Sequence, residues 1–170
     1  MPVVRDFRNF RFDRPRVDRC GKHIGRHIYW KLYTIENVVR IIIHSVLTAQ
    51  INSQWWNVAV DPKIQKRAES VRQQYAQRPG HTSPGNHDLY YVFLSDLNKI
   101  IGANSNLFLP VLTDVDKWVV ELEDVRLPRN IVSHMHFPNQ PDRQQIDKTY
   151  NDFVSLLPRI EAAGVTLLIP

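Results

Sequence analysis

Apolar residues recur every three to four positions along most of this chain, and the strict alternation that a half-buried strand needs is absent. Ile35, Val38, Val39, Ile42 and Val46 set the longest stripe, with Tyr29, Trp30 and Tyr33 leading into it. That spacing predicts one long helix from His27 to about Gln50. Glu36, Arg40 and His44 form an i, i+4, i+8 line on another of its faces, suited to a salt-bridged surface or to the wall of a polar cleft. Ile64, Ala68, Val71 and Tyr75 mark a second helix, opened by Asp61 as a cap with Pro62 behind it. Leu97, Ile100 and Ile101 predict a short helix capped by Ser95 and ending near Gly102. Val115, Trp118, Val119, Leu122 and Val125 predict a fourth, capped by Thr113 or Asp114. Ile146, Tyr150, Phe153, Leu157 and Ile160 predict the last, opened by Asp142 and closed between Pro158 and Gly164.

The breaks between stripes are equally informative. "INSQWWNVAV" ends the first helix, and Trp55-Trp56 is expected to plug the core near that turn. "QRPGHTSPGNHD", residues 77–88, is a loop by its two prolines and two glycines, with His81 and His87 as polar loop residues. "NSNLFLPVL" reads as a connection, and Pro128 is expected to interrupt or restart the fourth helix. "VTLLIP" is a short apolar tail that suggests a link to something longer. The expectation is an all-α bundle of about five helices.

Composition narrows the class. At 170 residues, with 43% hydrophobic, the chain is long enough for a single domain with a sizeable core. Its longest apolar run, "VVRIIIHSVL", is shorter than a bilayer requires and carries Arg40 and His44, so no membrane span is expected. No apolar stretch precedes residue 28, and the single cysteine, Cys20, excludes an internal disulfide framework. Both features lead us to expect a soluble cytoplasmic protein.

Charge is unevenly spread. Residues 1–31 hold nine Lys/Arg against three Asp, whereas the remainder is close to neutral. Three parts follow: a basic arm over residues 1–27, a helical domain over 28–163 and a tail over 164–170. In the arm, Arg5, Arg8, Arg11 and Arg14 interleave with Phe7, Phe10 and Phe12, a pattern fit for phosphate contact with base stacking. The blander alternative is an arm that packs its phenylalanines on its own domain and leaves the arginines solvated. Cys20, His23 and His27 read C-x2-H-x3-H, but three potential ligands fall short of a structural zinc pattern. No metal and no cofactor are expected.

The stretch richest in chemistry is "VRLPRNIVSHMHFPNQP", which holds Arg129, Asn130 and His134. On a helix Asn130 and His134 share a face, while Arg129 and His134 lie about 140° apart with about 7.5 Å of rise between them. They converge if the arginine swings round, or if two copies of the helix meet across a dimer. A histidine near neutrality can take the proton from a ribose 2′-OH or give one to the departing 5′-oxygen. A guanidinium fork matches a phosphate and offsets charge growing on it. The plain alternative has Asn130 capping a helix restarted at Pro128, Arg129 in water and His134 at the helix end.

"LPRNIVSH" after "WVVELEDV" resembles the HEPN family, whose mark is an arginine, a polar neighbour and a histidine a few residues on. "YWKLYTIENVVRIIIHSVL" with a following "WW", and "LYYVFLSDLNKII", are similar to the branch found in RNA-processing endoribonucleases and bacterial defence proteins. The resemblance spans about residues 28–160. It implies a helical bundle that dimerises so that two motifs form one RNase cleft, cutting RNA without metal to leave a 2′,3′-cyclic phosphate. Arg129, Asn130 and His134 would be the motif residues, with Glu36 and Arg40 on a helix that flanks the cleft. The implied partners are RNA, a second copy and an antitoxin or further domains, in a toxin or defence effector. Some members have lost catalysis and act as interaction or nucleotide-binding modules. Pro128, immediately before the motif, departs from the pattern.

Overall fold

In the computed structural model, which describes residues 4–78 and 80–170, the first helix begins far earlier than the apolar stripe does. Asp13 sits in extended conformation and Pro15 occupies the opening turn of α1 (Arg14–Ile24). A π-helical turn, Gly25–Tyr29, joins α1 to α2 (Trp30–Gln50), so a single rod runs from Arg14 to Gln50. The first part of this rod carries too few apolar side chains to show a stripe, because Cys20 alone is buried in α1. The domain therefore grows directly out of the basic arm, and the helix expected from His27 is longer by about half. One window of the rod is apolar enough for a membrane span by length and composition, but more than half of that window is buried in this fold.

The other elements are α3 (Trp55–Ala59), α4 (Pro62–Ala76), α5 (Leu94–Ala103), α6 (Ser105–Leu112), α7 (Val115–Ser133) and α8 (Gln140–Ala162), with a 3-10 turn at Asp88–Tyr91. The chain is all-α, with no strand among the described residues. The count exceeds the expected five because α3 and α6 are short helices inside segments that read as connections. In α6 Pro110 sits inside the helix, yet Phe108, Val111 and Leu112 bury its inner face. Core burial there outweighs the backbone bond that proline removes. Thr113, at φ 58, then ends it.

α2 runs through the centre and packs on α8 and α5, while α7 lies against both α5 and α8. Its stripe meets Leu97, Ile100 and Ile101 of α5, Leu122 and Val125 of α7, and Phe153, Leu156 and Ile160 of α8. Trp55 is fully buried and Trp56 nearly so, as the break in the pattern suggests. The tail lies along this core: Val165 is buried, and the Leu168 amide donates to Ser45 Oγ at 2.8 Å.

Several local expectations need correction. Pro128 neither interrupts nor restarts α7, which continues through it to Ser133. Buried Val125 and Val132 anchor the helix on either side, and the carbonyl that Pro128 deprives of a donor belongs to solvent-exposed Asp124. α5 is opened by Asp96, whose carboxylate accepts from the Phe93 amide at 3.3 Å, and Ser95 is not its cap. Asp142 works one turn inside α8: Asn139 Oδ1 accepts from the Asp142 amide at 2.9 Å, and Asp142 Oδ2 from the Asn139 amide at 3.1 Å. Asp61 and Asp114 cap α4 and α7 as expected.

A candidate active site in the cleft between α2 and α7

The i, i+4 line on α2 turns inward. Arg40 is only 7% exposed, and its Nε donates to the Leu89 carbonyl at 3.1 Å. One of its terminal nitrogens donates to Glu36 Oε1 at 2.7 Å. The other carboxylate oxygen of Glu36 accepts from Arg129 Nε at 3.4 Å and Nη2 at 3.3 Å. Glu36 thus bridges two guanidinium groups, one from its own helix and one from α7. The reading of this line as a solvated face is overturned for Glu36 and Arg40. A third member, His44, is half-buried and accepts at Nδ1 from Trp55 Nε1–H at 3.3 Å.

These groups form one end of a cleft of about 320 Å³, lined also by Tyr29, Tyr33, Asn37 and Tyr90. Two arginines and one carboxylate leave a net positive charge in it. An unpaired buried charge would be expensive, so the sharing of Glu36 fixes both arginines in place. Arg129 reaches the cleft from α7, where Val132, buried one turn on, lines it too. The alternative that left Arg129 in water fails on the same contact.

Asn130 is half-buried and does not line the cleft. It caps nothing, since α7 is continuous; its carbonyl accepts from the His134 amide at 2.9 Å. His134 closes α7 as its C-terminal cap and is exposed; it does not itself line the cleft, although its neighbour Ser133 does. Met135 follows in the left-handed region at φ 61, which turns the chain toward Phe137 and α8. Within one chain the structure therefore brings Arg129, Glu36 and Arg40 together and leaves His134 at the helix end, as the five-residue separation dictates.

The arm is only partly free. Arg5, Arg8, Arg11 and Arg14 are all exposed, but Arg8 grips Asp6 with Nη2 at 2.6 Å, and Arg14 lies 3.9 Å from Asp18. The Arg8 guanidinium holds the Asp6 carboxyl below its usual range. Phe12 is 83% exposed and Phe10 is covered by Arg16 at 4.3 Å, so the arm does not pack all its phenylalanines on the domain. Cys20 Sγ donates to the Arg5 carbonyl at 3.2 Å, which ties the arm back onto α1. His23 and His27 lie 4.8 Å apart, but no group of three metal-ligating side chains assembles among the described residues.

Two features escaped the sequence reading. Tyr29 and Tyr33 stand i, i+4 on the cleft wall, a spacing visible in the chain but read as the start of the core stripe. His87 is no simple loop residue: it stacks on Trp55 at 5.3 Å and meets His44 at 4.9 Å. Burial lowers the pKa of both histidines below the usual imidazole value, and for His87 the neighbouring His44 adds to it. Compared with family models, with curated proteins and with solved structures, the chain finds no match.

Proposed function

We propose that this chain is a metal-independent endoribonuclease of the HEPN type, acting as a cytoplasmic homodimer in a toxin or defence role. The observation that carries the reading is Arg129: a guanidinium held at the wall of a cleft by a carboxylate, on the helix that ends in an exposed His134. Two copies meeting through the ends of α7 would supply an imidazole to each arginine. One imidazole takes the proton of a ribose 2′-OH as that oxygen attacks the adjacent phosphorus. The P–O5′ bond breaks, and a second imidazole, protonated, gives its proton to the leaving oxygen. The products are a 2′,3′-cyclic phosphate and a 5′-hydroxyl. Arg129 offsets the charge that builds on the non-bridging oxygens, and Glu36 keeps its fork oriented. Asn130 supports the last turn that presents His134. The exposed arginines of the arm add affinity that falls with salt.

A second reading, a catalytically silent module of the same type that binds a partner or a nucleotide, is favoured by one observation. Glu36 already occupies part of the Arg129 fork. Labelled RNA incubated with the protein in excess EDTA separates the two. Cleavage by the parent, lost in His134→Ala and Arg129→Ala, supports the nuclease. Equal cleavage by parent and variants refutes it, and binding without cleavage selects the silent module.

A further inference from the structure

Tyr29 and Tyr33 present a discrepancy that the ribonuclease reading does not use. They are 58% and 63% exposed, yet both belong to the wall of the same cleft as Arg129. Tyr29 ends the π-helical turn and Tyr33, four residues on, stands in the first turn of α2; both line the cleft, and Asn37 continues that line one turn further. Asn37 donates its amide to the Tyr33 carbonyl at 2.8 Å, which leaves its Oδ1 as an acceptor toward the cleft. Tyr90 also lines the cleft, and its ring packs on Gly85: a Cβ at Gly85 would come within 2.4 Å of it. The missing Cβ at Gly85 is what lets the ring approach so closely.

The cleft therefore has aromatic faces at one end and a net single positive charge at the other. A monoanionic phosphodiester matches that charge, and an attached base matches the rings. A volume of about 320 Å³ lies at the lower end of the ~300–1,000 Å³ range of small-ligand pockets, suited to one nucleotide and not to a duplex. An apolar peptide or the flank of a second copy would leave the net positive charge of the Glu36, Arg40 and Arg129 group unbalanced.

We propose that Tyr29 and Tyr33 form a stacking platform for an unpaired nucleobase, with the adjoining phosphate on Arg129, so that the cleft selects single-stranded nucleic acid. The choice of RNA over DNA rests on the ribonuclease reading; the platform itself does not. Stacking on an aromatic side chain is worth about fivefold to 150-fold in affinity per base. The test is fluorescence anisotropy of the full chain with a labelled single-stranded oligonucleotide methylated at every 2′-oxygen, which cannot be cut through that oxygen. Tyr29→Ala and Tyr33→Ala are each expected to weaken binding about tenfold, while Tyr33→Phe stays within about twofold of the parent. An abasic strand of equal length should bind the parent as weakly as the base-bearing strand binds Tyr33→Ala, and the corresponding duplex should bind weakly too.

The proposal is overturned if the alanine variants bind like the parent, if they lose as much on the abasic strand, or if the parent does not bind the strand at all. It is also overturned if sedimentation shows Tyr33→Ala turning a dimer into a monomer with unchanged binding per chain, since the face would then join copies. Base-dependent binding by a parent that cleaves no RNA removes the nuclease and leaves the platform. Cleavage with an unchanged KM in the tyrosine variants does the reverse.

Discussion

Replacing Arg40 by methionine tests whether the cleft is held together as the structure implies. Methionine retains most of the aliphatic stem, so the change removes charge and hydrogen bonds more than volume. Three bonds go: to Glu36 at 2.7 Å, to the Leu89 carbonyl at 3.1 Å and a weak one to the Val92 carbonyl at 3.4 Å. Breaking a buried pair by removing one partner costs about 3–5 kcal/mol, because the other charge stays behind. Glu36 keeps Arg129 and some solvent, its side chain being 18% exposed, so the lower end applies and about 3 kcal/mol is expected. That is a large share of the ~5–15 kcal/mol of a typical domain. Glu36→Gln should cost less in the Arg40→Met background than in the parent, since one of the two guanidiniums that Glu36 serves is then already gone. Urea denaturation of the parent, both single variants and the double variant measures all four stabilities. A loss under about 1 kcal/mol in Arg40→Met, or strictly additive losses in the double, would refute the claim that Glu36 and Arg40 act as a buried unit. Hydrogen exchange should also quicken over the 3-10 turn at Asp88–Tyr91, which Arg40 ties to α2.

Two further outcomes follow from buried polar groups elsewhere. His44 and His87 each accept a hydrogen bond at Nδ1, from Trp55 Nε1–H and from the Leu89 amide, and so are held neutral. Arg72 also opposes charge on His87, while Asp88 partly favours it. With folded-state pKa values below the unfolded one, the unfolded chain binds more protons, so stability should be level above about pH 6.5 and fall toward about pH 5. His23, lowered by burial and by His27, adds to the same fall; His87→Asn should reduce the slope in thermal melts across that range, and a level parent profile would contradict this. Asp96 is fully buried, accepts from Arg67 at 2.6 Å and opens α5; Asp96→Ala should cost about 3 kcal/mol by denaturant titration, and a loss under 1 kcal/mol would show that Arg67 finds water at no cost.

The periodic stripes carried most of the helices, because one face of each must be buried and the 3.6-residue turn writes that face into the chain. Val115, Trp118, Leu122 and Val125, and likewise Phe153 and Ile160, are buried where their spacing places them. Where local and tertiary preferences conflict, the local signal misleads. Pro128 read as a break, and the segment holding Pro110 as a connection, but both prolines stand inside helices, since the burial of Phe108, Val111, Val125 and Val132 across them outweighs one lost backbone bond. The polar α1 shows no stripe because only Cys20 of it is buried.

The candidate site divides along the same line. Sequence alone determined an all-helical chain with a basic N-terminal segment, and it determined that Arg129 and His134 cannot stand one above the other on a single helix. That the Glu36 and Arg40 line turns inward, that Arg129 meets it across 93 residues of chain, and that Tyr90 joins Tyr29 and Tyr33 in one cleft from a different segment were decided by tertiary packing. The physical reason is that periodicity records which side of a helix is dry, whereas a cleft is made by polar residues whose partners lie on other helices, and nothing in local spacing encodes which partner each will meet.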